Sequence, residues 1–377
     1  MRVAIINCFD TYEYRVDLLH DFFKSEGHEV SIVQSDFRHF KKTKRKEEKD
    51  GYVFLETKPY YKNMSAARLI SHYKFSEKAF KYVEVLEPDL IYVIIPPNSL
   101  TKFAAKYKKK HKNVKLIFDL MDLWPETLPF RKIKGLPPIT SWRKIRDKNL
   151  KFADFIITEC NLYQSVLKKV LKNIRVATIY LAKREHEITG NIKIGTDELH
   201  LCYLGSINNI IDIPKIKELI KLLHKKKSTT VHIIGDGESR DLFISEIKST
   251  GATVEYYGQV FDHQKKQDIF NRCHFALNIM KENVCVGLTM KSIDYLQAGL
   301  PILNNIPADT YQIVDKFQVG YNISNGNIQS VVHKVINLDN KEILTMRVEA
   351  ERVYKNLFSS DAFYRDLRNV IDSIFVR

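Results

Sequence analysis

One pattern constrains this chain above all others: a short β-branched apolar run, a loop, then an amphipathic stretch, repeated and later started afresh. Val3–Ile6 reads as a strand, Arg15–Ser25 as a helix stopped by Gly27, and Val30–Val33 as the next strand. Leu90–Ile95, Val114–Phe118, Phe155–Thr158 and Val176–Ile179 continue the strands, with helices predicted at Leu100–Lys110 and Ser141–Lys151. Residues 181–197 have no periodicity, carry two glycines and read as a linker. The alternation then restarts. Strands at Leu199–Leu204, Thr230–Ile234, Val254–Tyr257, Phe275–Ile279 and Ile302–Asn304 interleave with helices at Ile213–His224, Arg240–Ser249, Gln264–Arg272 and Lys291–Gln297. Three of these strands run into glycine, at Gly205, Gly235 and Gly258.

Strands that alternate with helices form a parallel sheet covered on both faces. The predicted class is therefore α/β, with two Rossmann-like doubly wound domains in tandem and a cleft between them. The expected boundaries are 1–185, 198–358 and a final segment 359–377, whose amphipathic stretch Asp361–Phe375 is expected as a helix returning to the first domain. A chain of 377 residues is long enough for two domains, and 44% hydrophobic with 28% charged residues excludes disorder as the main state. Its apolar runs are too short to span a bilayer. The start, Met1-Arg2-Val3-Ala4-Ile5-Ile6-Asn7, lacks the features of a secretory signal. Five scattered cysteines without metal-ligand spacing point to reduced thiols, and the expected location is cytoplasmic.

Charge is unevenly spread. Residues 1–185 hold 37 of the 60 basic and 22 of the 45 acidic residues, an excess equal to the +15 of the whole chain. A field of one sign on one domain implies an anionic partner, whether lipid headgroups, a pyrophosphate-bearing acceptor or a nucleic acid. The clusters are Lys41–Lys49, Lys106–Lys112 and Arg131–Lys148. Within the last, Arg131-Lys132-Ile133-Lys134 and Trp142-Arg143-Lys144-Ile145-Arg146 mix cations with apolar residues as peripheral membrane surfaces do. Solvated loops are the alternative for any one of them.

The sharpest motif is Gly287-Leu288-Thr289-Met290-Lys291-Ser292-Ile293-Asp294-Tyr295-Leu296-Gln297-Ala298-Gly299-Leu300-Pro301. Thr289 suits a helix N-cap, and Gly299 with Pro301 suits a stop. Lys291, Asp294 and Tyr295 share a face. A cation beside a helix N-terminus suits a diphosphate, and a carboxylate one turn on suits the two hydroxyls of a ribose. An ordinary surface ion pair is the competing reading, and these residues alone leave both open.

This segment resembles the donor-site signature of family 4 glycosyltransferases, P-x-K-x-x-E-Y-x-x-x-G-x-P, with Thr289 in place of the proline and Asp294 in place of the usual glutamate. Tyr203-Leu204-Gly205-Ser206, Ile233-Ile234-Gly235-Asp236-Gly237 with Arg240, and Tyr257-Gly258-Gln259-Val260 stand in that family's order. Phe118-Asp119-Leu120-Met121-Asp122-Leu123-Trp124-Pro125-Glu126 is similar to a stretch of bacterial surface-polysaccharide transferases. The resemblance implies the GT-B architecture, a nucleotide-sugar donor in the second domain (a UDP-sugar for choice), an acceptor in the first, retention of anomeric configuration and no essential metal. It places Asp294 on the ribose and Lys291 near the diphosphate or donor sugar. Gly205 and Ser206 would approach the phosphates, with Gly258 to Val260 beside the base.

Two positions depart from that pattern: Val286 replaces a common glutamate, and Met121 a common histidine. Asp119, Asp122 and Glu126 are left as acceptor-side candidates, able to take a proton from a hydroxyl, with loop capping as the alternative for Asp122 and Glu126. A metal pair at Asp119 and Asp122 lacks a third ligand. Gly235-Asp236-Gly237 lacks the third glycine of a dinucleotide loop and reads as a tight turn. Asn208 follows the Gly205 turn where relatives place basic groups, which throws phosphate binding onto Lys291. The expected function is sugar transfer to a lipid-linked glycan acceptor in cell-surface polysaccharide assembly, such as a capsule, at the inner face of the membrane. A non-catalytic partner subunit and a basic polyanion-binding protein are the rival readings. No nucleic-acid-binding motif is present.

Overall fold

The computed structural model describes residues 1–63, 65–127, 135–185, 191–195 and 197–375, so the cluster Arg131–Lys134 and part of the expected linker lie outside the described residues. The chain divides into two compact units, Met1–Leu181 with Phe363–Arg377, and Ala182–Ala362.

The first unit is built on strands β1 (Arg2–Asn7), β2 (Glu29–Ser35), β5 (Tyr52–Leu55), β6 (Leu90–Ile95), β7 (Lys115–Leu120), β8 (Phe155–Thr158) and β9 (Val176–Thr178). They form one parallel sheet in the order β5-β2-β1-β6-β7-β8-β9. Strands β3 (Phe37–Arg38) and β4 (Thr43–Lys44) make a small antiparallel ribbon beside it. Every residue of β6 is buried, as a central strand covered on both faces requires. The helix Ser360–Phe375 joins this unit from Phe363 onward: Tyr364 lies against Phe22, and Arg368 binds Glu26.

Strand β5 and the long helix Ala66–Leu86 have no counterpart in the sequence reading. The buried face of that helix explains the omission. It carries Arg68, Ser71, His72 and Ser76 among Phe75, Ala79, Phe80 and Val83, which blurs the apolar stripe.

The second unit contains β10 (Leu199–Leu204), β11 (Thr229–Ile234), β12 (Thr253–Gly258), β13 (Phe275–Asn278), β14 (Ile302–Asn304) and β15 (Gly320–Asn322). All pair in parallel, in the order β12-β11-β10-β13-β14-β15. Counted from β10 this is the Rossmann order 3-2-1-4-5-6. Leu201, Tyr203, Val231, Ile233, Phe275 and Leu277 from its strands are sealed by Ile216, Leu219, Ile220 and Phe243 from helices. Strand β15, Gly-Tyr-Asn, has no apolar run and was invisible to periodicity.

A charged pair lies in the core of the first unit. Asp119 on β7 is wholly buried. Its oxygens accept from Arg15 Nε at 2.6 Å, Arg15 Nη2 at 3.1 Å and the Tyr92 hydroxyl at 2.6 Å. Arg15 also donates to the Tyr180 carbonyl at 3.0 Å and lies over the Phe363 ring. Removing one partner of such a pair strands the other charge in a low dielectric, at a cost of about 3–5 kcal/mol. Asp119→Ala is therefore expected to lower chemical-denaturation stability by that amount. Adding Arg15→Met should recover a large part of the loss; a cost below about 1 kcal/mol for the single variant would show that the pair is not the anchor described.

Candidate functional site

In the second unit, β10 pairs with β11 along its full length but with β13 only at Leu201–Phe275 and Cys202–Ala276. Beyond that point the two strands part, which is the topological switch point where open α/β sheets bind ligands. The gap leaves main-chain groups without a neighbour, and the buried Tyr295 hydroxyl fills it. It accepts from the Leu204 N–H at 2.7 Å and donates to the Leu277 carbonyl at 3.3 Å.

Tyr295 belongs to the helix Met290–Gln297, whose N-terminus is pinned by an amide ladder. Asn278, Asn304 and Asn322 end β13, β14 and β15 in register, with side chains linked at 2.9 and 2.8 Å. Asn278 donates in turn to Ser292 Oγ at 3.0 Å, and Thr289 caps the helix by accepting from the Ser292 N–H at 3.2 Å. The ladder was not anticipated, because Asn322 closes a strand that periodicity does not show.

Lys291, in the first turn, is 8% exposed. Its Nζ lies 4.6 Å from the centre of the Tyr203 ring, and it forms no ion pair among the described residues. Burial lowers its pKa from 10.5 to about 8. That shift corresponds to roughly 3 kcal/mol of penalty on the charged form. A buried cation without a counter-ion, beside free helix N–H groups, is an arrangement that an anion completes.

Gly205, Gly235 and Gly258 end the three neighbouring strands β10, β11 and β12, all with positive φ. The Gly205 N–H donates to the Ile234 carbonyl at 2.9 Å and the Gly235 N–H to Gly258 at 2.7 Å, so the three turns lie in one row. A Cβ at Gly235 would stand 2.0 Å from the Gly205 carbonyl oxygen, whereas one at Gly205 would meet nothing within 4 Å. The backbone is thus close-packed behind Gly205 and open in front of it. Ser206 is exposed beside it, and Val260 is half-buried in the loop after β12. The Asn208 side chain is occupied locally, accepting from the Ile210 N–H at 3.2 Å.

Asp294 does not stand alone. Its Oδ1 is ion-paired with Lys183 Nζ, and both side chains are about one-fifth exposed. The Lys183 main chain is fixed by the Phe358 carbonyl at 2.8 Å and the Tyr354 hydroxyl at 2.9 Å. Lys183 was read as linker, in a stretch without periodicity that gave no sign of it.

In the first unit the acceptor-side carboxylates take different places. The expectation that Asp119 faces a substrate is not met, because Arg15 and Tyr92 hold both of its oxygens in the core. Glu126 receives both terminal nitrogens of the buried Arg146 at 2.9 Å, which ties its loop to the helix Pro137–Leu150. Arg146, read as surface charge, is thus wholly buried. Asp122 accepts from Trp124 Nε1 at 2.6 Å and from the Thr127 hydroxyl, and burial raises its pKa against the pull of those bonds. Met121 is buried.

Chains leaving the carboxyl ends of β1, β2, β5 and β7 converge beside Asp122. They bring Phe9, His39, Tyr60 and Trp124 around Arg68, which lies 4.4 Å over the Trp124 ring. The sequence reading missed Arg68 and His72, although their spacing of four places them on one helix face. Part of the basic excess is internally balanced: Lys44 pairs with Glu56, Lys49 with Asp17, Lys108 with Asp154 and Lys110 with Glu84. Among the described residues no group of three or more His, Cys, Asp or Glu side chains could hold a metal ion, and no helix is long and apolar enough to cross a membrane.

No protein-family model matches the chain, and no curated protein matches its sequence. Solved structures do match it in shape. Sucrose-phosphate synthase from Thermosynechococcus elongatus is 12% identical, with 100% of this chain and 99% of that one covered at a TM-score of 0.73. WaaG, a glycosyltransferase involved in lipopolysaccharide biosynthesis, is 12% identical over 100% of both chains at 0.66. HepE from Anabaena, solved with UDP and glucose, is 13% identical over 99% of this chain and 100% of that one at 0.66. With two Rossmann-like parallel sheets of alternating strands and helices, and these neighbours, the chain has the GT-B fold.

Proposed function

We propose that this protein is a glycosyltransferase that moves a sugar from a nucleoside diphosphate donor to an acceptor hydroxyl. The observation that carries the proposal is Lys291, a buried cation with no ion pair among the described residues, in the first turn of a helix at the switch point of the second unit. In this reading the diphosphate lies against the N-terminus of Met290–Gln297 and the open side of Gly205. There it supplies the charge that Lys291 lacks and takes up the negative charge developed as the glycosidic bond breaks. Asp294 accepts from the ribose hydroxyls, which share its carboxylate with Lys183. The base lies by Gly258 to Val260. UDP is the proposed nucleotide, in keeping with the UDP complex of HepE.

The acceptor is assigned to the first unit, with Asp122 next to its hydroxyl as the carboxylate there whose proton affinity is raised. Retention of configuration, independence of metal and a lipid-linked glycan acceptor at the cytoplasmic face of the membrane belong to the same proposal. They are motivated by the family 4 resemblance and by the basic excess of residues 1–185.

UDP without added metal is expected to raise the melting temperature, increasingly with concentration. Asp294→Ala should abolish that shift and the turnover; if the variant retains both, the donor assignment falls. The protonated form of Lys291 is the one that attracts a diphosphate, so UDP affinity should be full below pH 8 and decline as pH rises through about 8. Lys291→Gln should weaken UDP by roughly tenfold or more and flatten that pH step. An unchanged step in the variant would assign it to another group.

A further inference from the structure

The carboxyl edge of the sheet in the first unit holds a second cation, near enough to Asp122 to oppose the rise in its pKa but within ion-pair distance of no carboxylate among the described residues. Arg68 is 8% exposed and forms no ion pair among the described residues. Nη1 donates to the Asn63 carbonyl at 2.9 Å, while Nε is buried without a partner. Its guanidinium is walled by aromatic rings, 4.4 Å from Trp124 and 5.7 Å from both Phe9 and Tyr60. Three further nitrogen-bearing side chains surround the Tyr60 ring and hydroxyl. His39 Nδ1 is 2.7 Å from the hydroxyl and His72 Nε2 3.4 Å from it, and Lys42 Nζ lies 4.9 Å over the ring. The other ring nitrogen of His72, Nδ1, is likewise buried and unpartnered.

Contrast with the rest of the unit gives this cluster its meaning. Arg15 and Arg146, 3% and 0% exposed, each receive a carboxylate. Burying a guanidinium without one costs several kcal/mol, and aromatic faces recover only part of that. The cluster also occupies the edge at which parallel sheets bind ligands. Two cations and two imidazoles approaching from different elements outnumber the two oxygens of a carboxylate and suit a tetrahedral dianion, while the rings can cover an attached sugar.

We propose that the first unit contains a phosphoryl-binding subsite formed by Arg68, Lys42 and His72 around Tyr60, and that the ligand it takes is a phosphorylated sugar or sugar-bearing headgroup. Only the identification of that ligand as the acceptor rests on the transferase reading; the subsite itself does not.

Trp124 lies under Arg68 and 5.9 Å from Trp142, the other tryptophan of the chain, so tryptophan emission reports on the site. Glucose 6-phosphate titrated into the full chain is expected to change that emission saturably, and glucose is not. Phosphatidylcholine vesicles with and without phosphatidylinositol form the second arm. A response to glucose 6-phosphate assigns a soluble phosphosugar, and a response to phosphatidylinositol alone assigns a lipid headgroup. Arg68→Gln should weaken whichever response occurs by about tenfold or more, Arg68→Lys by less, and Lys291→Gln should leave it unchanged. If Arg68→Gln does not fold, Arg68→Lys and Lys42→Gln, each expected to weaken binding, decide the matter. No response of the native protein to either probe, or equal responses in native and variant proteins, overturns the subsite. UDP melting shifts recorded in parallel separate the two proposals. Arg68-dependent binding without any UDP shift would remove the transferase reading and leave this one standing.

Discussion

The Tyr295 hydroxyl occupies the point on which the second unit turns. The strand order sends the chain one way from β10 and the other way from β13, and the two strands part after Cys202. Parting is what creates a ligand crevice, and it also leaves an N–H and a carbonyl facing nothing. One side chain that both accepts and donates satisfies both. Because that hydroxyl belongs to the helix carrying Lys291 and Asp294, filling the gap also sets the register of the helix against the sheet. The asparagine ladder from β13 to β15 fixes the other coordinate of the same helix through Ser292 and Thr289. The charged groups at the switch point are thus placed by neutral hydrogen bonds, which stay formed whatever the charge state of Lys291.

Partnered and unpartnered charges divide the molecule by role. Arg15 with Asp119 and Arg146 with Glu126 are ion pairs in which both carboxylate oxygens are engaged. They knit β7 to the first helix and the Trp124 loop to Pro137–Leu150. Lys291 and Arg68 are also buried, yet rest on aromatic rings and form no ion pair among the described residues. A ring face offers a cation attraction without neutralising it, so the positive field stays available to an incoming anion. Both cations lie at the carboxyl edge of a parallel sheet, where strand-to-helix connections can open onto a ligand.

Much of the fold was legible because its elements are strongly periodic. The buried runs of β1, β6, β10 and β11, and the glycines that follow β10 and β11, mark parallel strands directly. The helix Ala66–Leu86 escaped because Arg68, Ser71, His72 and Ser76 interrupt its buried stripe, and β15 escaped because pairing with β14, rather than its own residues, makes it a strand. The motif around Lys291 was readable as a capped helix with a cation in its first turn. That Asp119 would be spent on Arg15, more than a hundred residues away in sequence, was not.

The sequence by itself determined the alternation of strand and helix, the parallel class, the turns at Gly205, Gly235 and Gly258, and the capped helix after Thr289. These follow from contacts between residues near each other in the chain: periodicity, capping and glycine φ. Tertiary structure alone decided which charges are balanced. The pairing of Asp294 with Lys183, the capture of Asp119 and Glu126 by arginines, and the isolation of Lys291 and Arg68 depend on side chains brought together from distant segments. The energy of a buried charge is set by those neighbours and by the low dielectric around them, and no local pattern in the chain encodes either.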